Sequence, residues 1–238
     1  MKKATHVSLV LAQFDSMRET GEVLEHSYLQ LLAGADVRAS ATDAKSQRAF
    51  RFVVFGLHES QTSAEDAVDR RMELTPWIAE AAEAWAGVFA PFRHFGEANF
   101  LDPQEPGSLY ESLVPEPPAG TPIVVITSAG WTPNPVYDMD RIMDFGAGVT
   151  GIRVGMTAVP GLHSQQTFSF PGGLDFDGIT VTFWREFAAM RDFAYGPGLH
   201  REMLRRQKEE TLADRSSFTR LSALRSEGTW HGRDPVVW

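Results

Sequence analysis

Residues 178–200 read GITVTFWREFAAMRDFAYGPGLH, a run in which the backbone preference changes three times. Residues 178–184 alternate β-branched and aromatic side chains with threonines, the pattern of a half-buried strand. Residues 185–195 carry helical periodicity, and Gly196-Pro197-Gly198 stops it. A second helix, 199–212, then begins with His200 in its first turn. The flanking sequence supplies the missing elements. Residues 123–126 are a β-branched strand, and 138–159 are a helix ending at Pro160-Gly161. Residues 163–170 form a strand parted from 178–184 by the turn Pro171-Gly172-Gly173, and 218–225 form a closing strand. The order is β-α-β-β-α-β, the ferredoxin-like arrangement.

The first half of the chain suggests the same order. Residues 7–14 read as a strand, 18–32 as a helix, 37–41 and 51–57 as strands, 64–88 as a helix broken at Thr75-Pro76, and 92–100 as a last strand. The spacing repeats as well: His58 to Phe92 and Trp184 to Phe218 both span 34 positions (92−58 and 218−184). Aligned without gaps, Leu74 falls where the second half has His200. Between the halves, residues 101–121 hold five of the 14 prolines and read as an extended linker. The expected fold class is therefore α+β: two tandem ferredoxin-like (βαββαβ) units, 1–100 and 122–238, forming a dimeric α+β-barrel-type pseudo-dimer. Its interior is the expected place for a ligand.

Composition narrows the chemistry. The chain has 238 residues, a net charge of −9 and no cysteine. Disulfides, zinc–thiolate sites, iron–sulfur clusters, thiolate-bound haem and cysteine nucleophiles are excluded. The acidic balance argues against nucleic acid as a partner. The N-terminal apolar run, 7–12, is too short for a signal-peptide core or a membrane span, so a cytoplasmic protein without a membrane span is expected. There is no GxSxG, HExxH or P-loop pattern. The formal GxGxxG of residues 146–151 lies inside a helical stretch, where the dinucleotide fingerprint would need a preceding strand.

Two features point to a ligand. His200 lies at a helix N-terminus, where unpaired N–H groups and the dipole favour the neutral imidazole that binds metals. It shares an apolar face with Phe193, Pro197 and Leu204, and Phe183, Phe187 and Tyr195 are near in sequence. No second His, Asp or Glu stands at ligand spacing to complete a zinc set, so the surroundings fit a haem pocket better, since haem needs a single protein ligand. Gly148, Gly151 and Gly155 form a bare stripe on one helix face, read either as room for a flat ligand or as close helix packing. Phe168 and Phe183 are candidate pocket walls, and Arg153, Arg185 and Arg191 are candidate partners of haem propionates or of a substrate anion.

The segments Thr180-Val-Thr-Phe-Trp184, Met190-Arg-Asp-Phe-Ala-Tyr195, His200, Phe218-Thr-Arg220 and Gly228-Thr-Trp230-His-Gly232-Arg-Asp-Pro235 together resemble the spheroidene monooxygenase family. The match runs from about residue 120 to 238; the N-terminal half shows no family motif. The resemblance implies a haem-dependent, monooxygenase-like oxidoreductase with haem b, acting on a hydrophobic or specialised-metabolite small-molecule substrate. It places the axial ligand on His200 and is compatible with a homodimer; of the aromatic neighbours, Phe193 and Tyr195 are candidate cofactor contacts. Two alternatives stay open: a haem-dependent dehydratase of an N–O (aldoxime-type) substrate, since related haem-bearing barrels dehydrate aldoximes, and a cofactor-free small-ligand-binding barrel.

Overall fold

The computed structural model describes residues 4–19, 29–34, 48–97, 114–132, 134–169 and 178–238. Eight strands are present: β1 (His6–Glu19), β2 (Leu29–Gly34), β3 (Arg48–His58), β4 (Glu83–Gly96), β5 (Ile123–Gly130), β6 (Leu162–Ser169), β7 (Gly178–Trp184) and β8 (Arg215–Gly228). They close into a barrel in the order β1-β3-β2-β6-β7-β5-β8-β4. Each half contributes its strands in the order last-first-third-second (β4-β1-β3-β2 and β8-β5-β7-β6), as a split βαβ unit requires. The two half-sheets meet along a long seam, where Trp85 to Gly96 pair with Gly228 to Ser217. The other seam is short, with Ala33 and Gly34 opposite Ser169 and Phe168.

Five helices are described: α1 (Gln61–Asp69), α2 (Arg71–Leu74), α3 (Met139–Met156), α4 (Phe187–Tyr195) and α5 (Leu199–Glu210). The second half follows its sequence reading closely. Asp138 caps α3, its carboxylate accepting from the Arg141 N–H at 3.1 Å. The first half departs from its reading. Residues expected in a helix over 18–32 are strand wherever described, with Arg18 and Glu19 in β1 and Leu29 to Leu32 in β2. The strand expected over 37–41 lies outside the described residues, as do residues 101–113 of the linker. The long helix expected over 64–88 ends early: α1, α2 and a 3₁₀ turn (Pro76–Glu80) give way to β4 at Glu83.

The reason is burial on both faces. Residues 85–92 are all buried, Trp85 and Phe89 facing the barrel core and Ala86 and Val88 facing the α1 layer. Such a strand has no polar alternation, and its small residues imitate a helix. The 34-position repeat fails with it. From the end of β3 to the start of β4 is 25 positions (83−58), against 31 from β7 to β8 (215−184). Leu74, at the end of α2, is therefore not the counterpart of His200 in the first turn of α5.

The barrel interior is solid. Trp85, Phe89, Phe168, Phe183 and Trp230 are fully buried in one cluster with aliphatic residues of both halves. Trp85 meets Phe183 edge-to-face at 5.0 Å. The expected ligand space inside the barrel is filled by these side chains.

Candidate functional site

The open space lies on the other side of the sheet. Along β5, Val124 and Ile126 point into the barrel core, whereas Ile123 and Val125 point out towards the helices. The same alternation turns Thr180, Thr182 and Trp184 of β7 outward, and Phe218 and Arg220 of β8 with them. Helices α3, α4 and α5 cover this outer face without filling it. They leave a cavity of about 280 Å³ bounded by the sheet, by Val149, Ile152, Arg153 and Met156 of α3, and by Met190, Phe193, Tyr195, His200 and Leu204 of α4 and α5. A second cleft of about 540 Å³ lies on the solvent side and shares Ile152, Phe193 and His200 with the first.

His200 is held by the break that precedes it. The last carbonyls of a helix lack intrahelical partners. At the end of α4 the chain turns through Gly196 and Pro197, and α5 starts after Gly198 (φ 150°). This brings the imidazole back onto α4, where its Nδ1–H donates to the Ala194 carbonyl at 3.0 Å. A carbonyl only accepts, so Nδ1 carries the proton and Nε2 the lone pair. Nε2 has no hydrogen-bond partner among the described residues. Burial is the main cause lowering the His200 pKa from its ordinary 6.5; the Arg220 charge adds to it, and the bond to Ala194 opposes it. The neutral form expected from the helix terminus is thus favoured chiefly by desolvation. Phe193 flanks the imidazole with ring centroids 5.2 Å apart, and Trp184 backs Phe193 at 5.5 Å. The Trp184 indole N–H is satisfied by Thr182 Oγ1 at 2.9 Å.

The other residues singled out in the sequence divide by location. Tyr195 and Arg153 line the sheet-side cavity with His200 and Phe193. Arg153 has a buried Nε without a hydrogen-bond partner among the described residues, and burial lowers its pKa. The glycine stripe splits. A Cβ at Gly148 would meet the Met203 thioether at 2.6 Å and one at Gly151 would meet Leu199 at 2.8 Å, whereas one at Gly155 would meet nothing. Gly148 and Gly151 let α3 pack closely on α5; Gly151 and Gly155 also line the second cleft. Phe168 and Phe183 sit in the barrel core on the opposite face of the sheet, away from the cavity they were expected to wall. Arg185 is exposed beside Glu186 at the second cleft, and Arg191 is exposed beside Asp192 at 3.4 Å, lining neither space.

Arg220 was not singled out as a site residue, although it forms part of the family-like motif. It is 7% exposed and hydrogen-bonds through Nη2 to the Tyr195 hydroxyl. Its guanidinium lies 5.3–5.6 Å from the ring centres of Phe95, Phe187 and Tyr195. The available signal was a single cation within the apolar and small-residue run 216–224 of β8.

No family model matches the chain. It is 25% identical over 192 residues to spheroidene monooxygenase of Rhodobacter capsulatus, covering 78% of this chain and 72% of that protein. In structure it is similar to an aldoxime dehydratase in complex with butyraldoxime, with a TM-score of 0.55 and 11% identity over 93% of this chain and 80% of that one. A further aldoxime dehydratase structure gives a TM-score of 0.55 and 10% identity, covering 92% of this chain and 82% of that one. At these identities the structural likeness concerns the fold. Over most of its length, then, the chain is similar to spheroidene monooxygenase, as its C-terminal motifs indicate, and its fold is an α+β barrel closed from two ferredoxin-like halves.

Proposed function

We propose that the chain is a haem-dependent, monooxygenase-like oxidoreductase acting on a small hydrophobic molecule, with His200 as the proximal ligand. One observation carries this reading: Nδ1–H of His200 is tied to the Ala194 carbonyl while Nε2 has no partner among the described residues. A hydrogen bond from the other ring nitrogen to a carbonyl fixes the tautomer and ring orientation of a metal-binding histidine and raises its basicity.

The residues fit a haem. The sheet-side cavity alone is smaller than a porphyrin; the second cleft adjoins it, with Ile152, Phe193 and His200 in the lining of both. Gly155 leaves its part of the α3 wall of the second cleft bare. No carboxylate lines the sheet-side cavity, and Arg153 and Arg220 face it without an ion pair among the described residues, so carboxylate groups are attracted there. When bound, haem b would supply oxygen activation. Phe193 and Trp184 hold the imidazole plane, and the apolar lining excludes water and accommodates a hydrophobic substrate. The resemblance to spheroidene monooxygenase supports oxygenase-type chemistry over other uses of the same group.

The test is spectroscopic. Purified protein titrated with haem should develop a Soret band at one equivalent. His200→Ala should weaken haem affinity by roughly 10-fold or more, in line with loss of a metal ligand, while far-UV circular dichroism stays unchanged. An unaltered Soret band in His200→Ala would overturn the assignment. The small size of the sheet-side cavity favours one second reading: a cofactor-free site in which neutral His200 serves as a base. It predicts no Soret band at all and ligand binding that His200→Ala preserves.

A further inference from the structure

We propose that Arg220 is the anion-binding group of the sheet-side cavity, and that its occupant is a flat, largely apolar molecule bearing one carboxylate. The inference goes beyond the function proposed above and does not require haem.

A guanidinium removed from water costs several kcal/mol unless it is paired. Arg220 is 7% exposed, yet no Asp or Glu pairs with it among the described residues and none lines the cavity it faces. Its polar partner is the neutral Tyr195 hydroxyl. The rings of Phe95, Phe187 and Tyr195 contribute cation–π attraction that offsets part of the desolvation and leaves the charge intact. Arg93 stands opposite Arg220 in the β4–β8 register, an arrangement of like charges that disfavours the empty site further. The residue sits mid-strand, bracketed by β4 and by Val125 of β5, so the charge is placed rigidly. Around it the cavity is lined by Val125, Phe218, Met156 and Trp184. A buried, rigid, unneutralised cation at the edge of an apolar pocket is complementary to a carboxylate on a hydrophobic body.

That carboxylate could belong to a substrate or to a haem propionate, and two arms separate these sources. In the first, haem-free protein is titrated calorimetrically with trans-cinnamate and with the isosteric neutral trans-cinnamamide. The acid should bind at least roughly 10-fold tighter than the amide, a preference of the size expected for one charge-assisted contact. Arg220→Gln should abolish the preference and Arg220→Lys should retain part of it. In the second arm, haem is titrated into wild type and Arg220→Gln. Loss of the acid preference with unchanged haem loading identifies a substrate subsite; weakened haem loading identifies a propionate subsite. Equal binding of acid and amide, or no binding of either, together with unchanged haem loading in the variant overturns the proposal. The wild-type ratio is informative even if a variant misfolds. Absence of any Soret band would count against the haem reading alone.

Discussion

His200 and the glycines of α3 show how much a single position depends on what packs against it. At Gly228 the backbone has φ +87°, and an added Cβ would run into the Ala84 carbonyl of the neighbouring strand. Gly228→Ala should cost about 2 kcal/mol or more through strain and clash combined, measured by urea denaturation. Gly155 offers the contrast, because a Cβ there meets nothing within 4 Å. Gly155→Ala should stabilise the protein by about 0.5–1 kcal/mol through helix propensity. If the bare wall of the second cleft admits a cofactor, the same variant should also weaken haem uptake; stabilisation with unimpaired uptake would mark Gly155 as an exposed helix position and nothing more.

The α4–break–α5 element turns a local sequence signal into a site. Gly196-Pro197-Gly198 ends one helix, starts the next and leaves the Ala194 carbonyl for the His200 ring, so the imidazole is oriented by a feature that can be read directly from the chain. Strand β4 is the opposite case. Gly87 lies between Trp85 and Phe89, and a Cβ there would stand 2.8 Å from both aromatic rings. Those two rings lie over Gly87 with centroids 6.0 Å apart. Gly87→Ala should therefore overpack the barrel core at a cost of about 1–3 kcal/mol, visible as a lower urea midpoint at unchanged slope. A neutral substitution would show that the core has slack that this packing does not suggest.

At the scale of the whole molecule, histidine burial makes stability pH-dependent. His6, His94, His163 and His231 all have pKa values below the ordinary 6.5, in each case chiefly through desolvation. Below pH 6.5 the unfolded chain then binds more protons than the folded one. Their contribution is complete above that value and is lost as pH falls through the depressed folded values. Carboxylates such as Glu83 are also lowered: burial acts in the opposite direction but is outweighed by hydrogen bonds from Gly232, Thr229 and His231. Their window opens only below about 4.5. Thermal unfolding should thus show a midpoint lower by roughly a few degrees at about pH 5.5 than at about pH 7.5. His94→Gln should flatten that slope; a midpoint independent of pH over this range would contradict the burial argument.

The C-terminal half was legible in its sequence because its strands β5 and β7 are short and rich in β-branched residues and its helices carry caps and breaks of ordinary chemistry. Residues 178–184, the helix starting at residue 138 and the break before His200 were read from local preferences alone, since those preferences agree with the final fold. The N-terminal half was not legible. A strand buried on both faces loses its polar alternation, so β4 looked helical until its neighbours were known. The position of the cavity was equally hidden. Alternation along β5, β7 and β8 gives two faces of similar apolar character, and only barrel closure shows that one is packed solid by Trp85 and Phe183 while the other is left open beneath the helices. Arg220 belongs to the second category as well. Its type is written in the chain, but its burial without a carboxylate partner among the described residues follows from pairings among strands distant in sequence. Local chemistry set the break, the caps and the histidine that follows; long-range closure set which sheet face holds the cavity and which cation faces it.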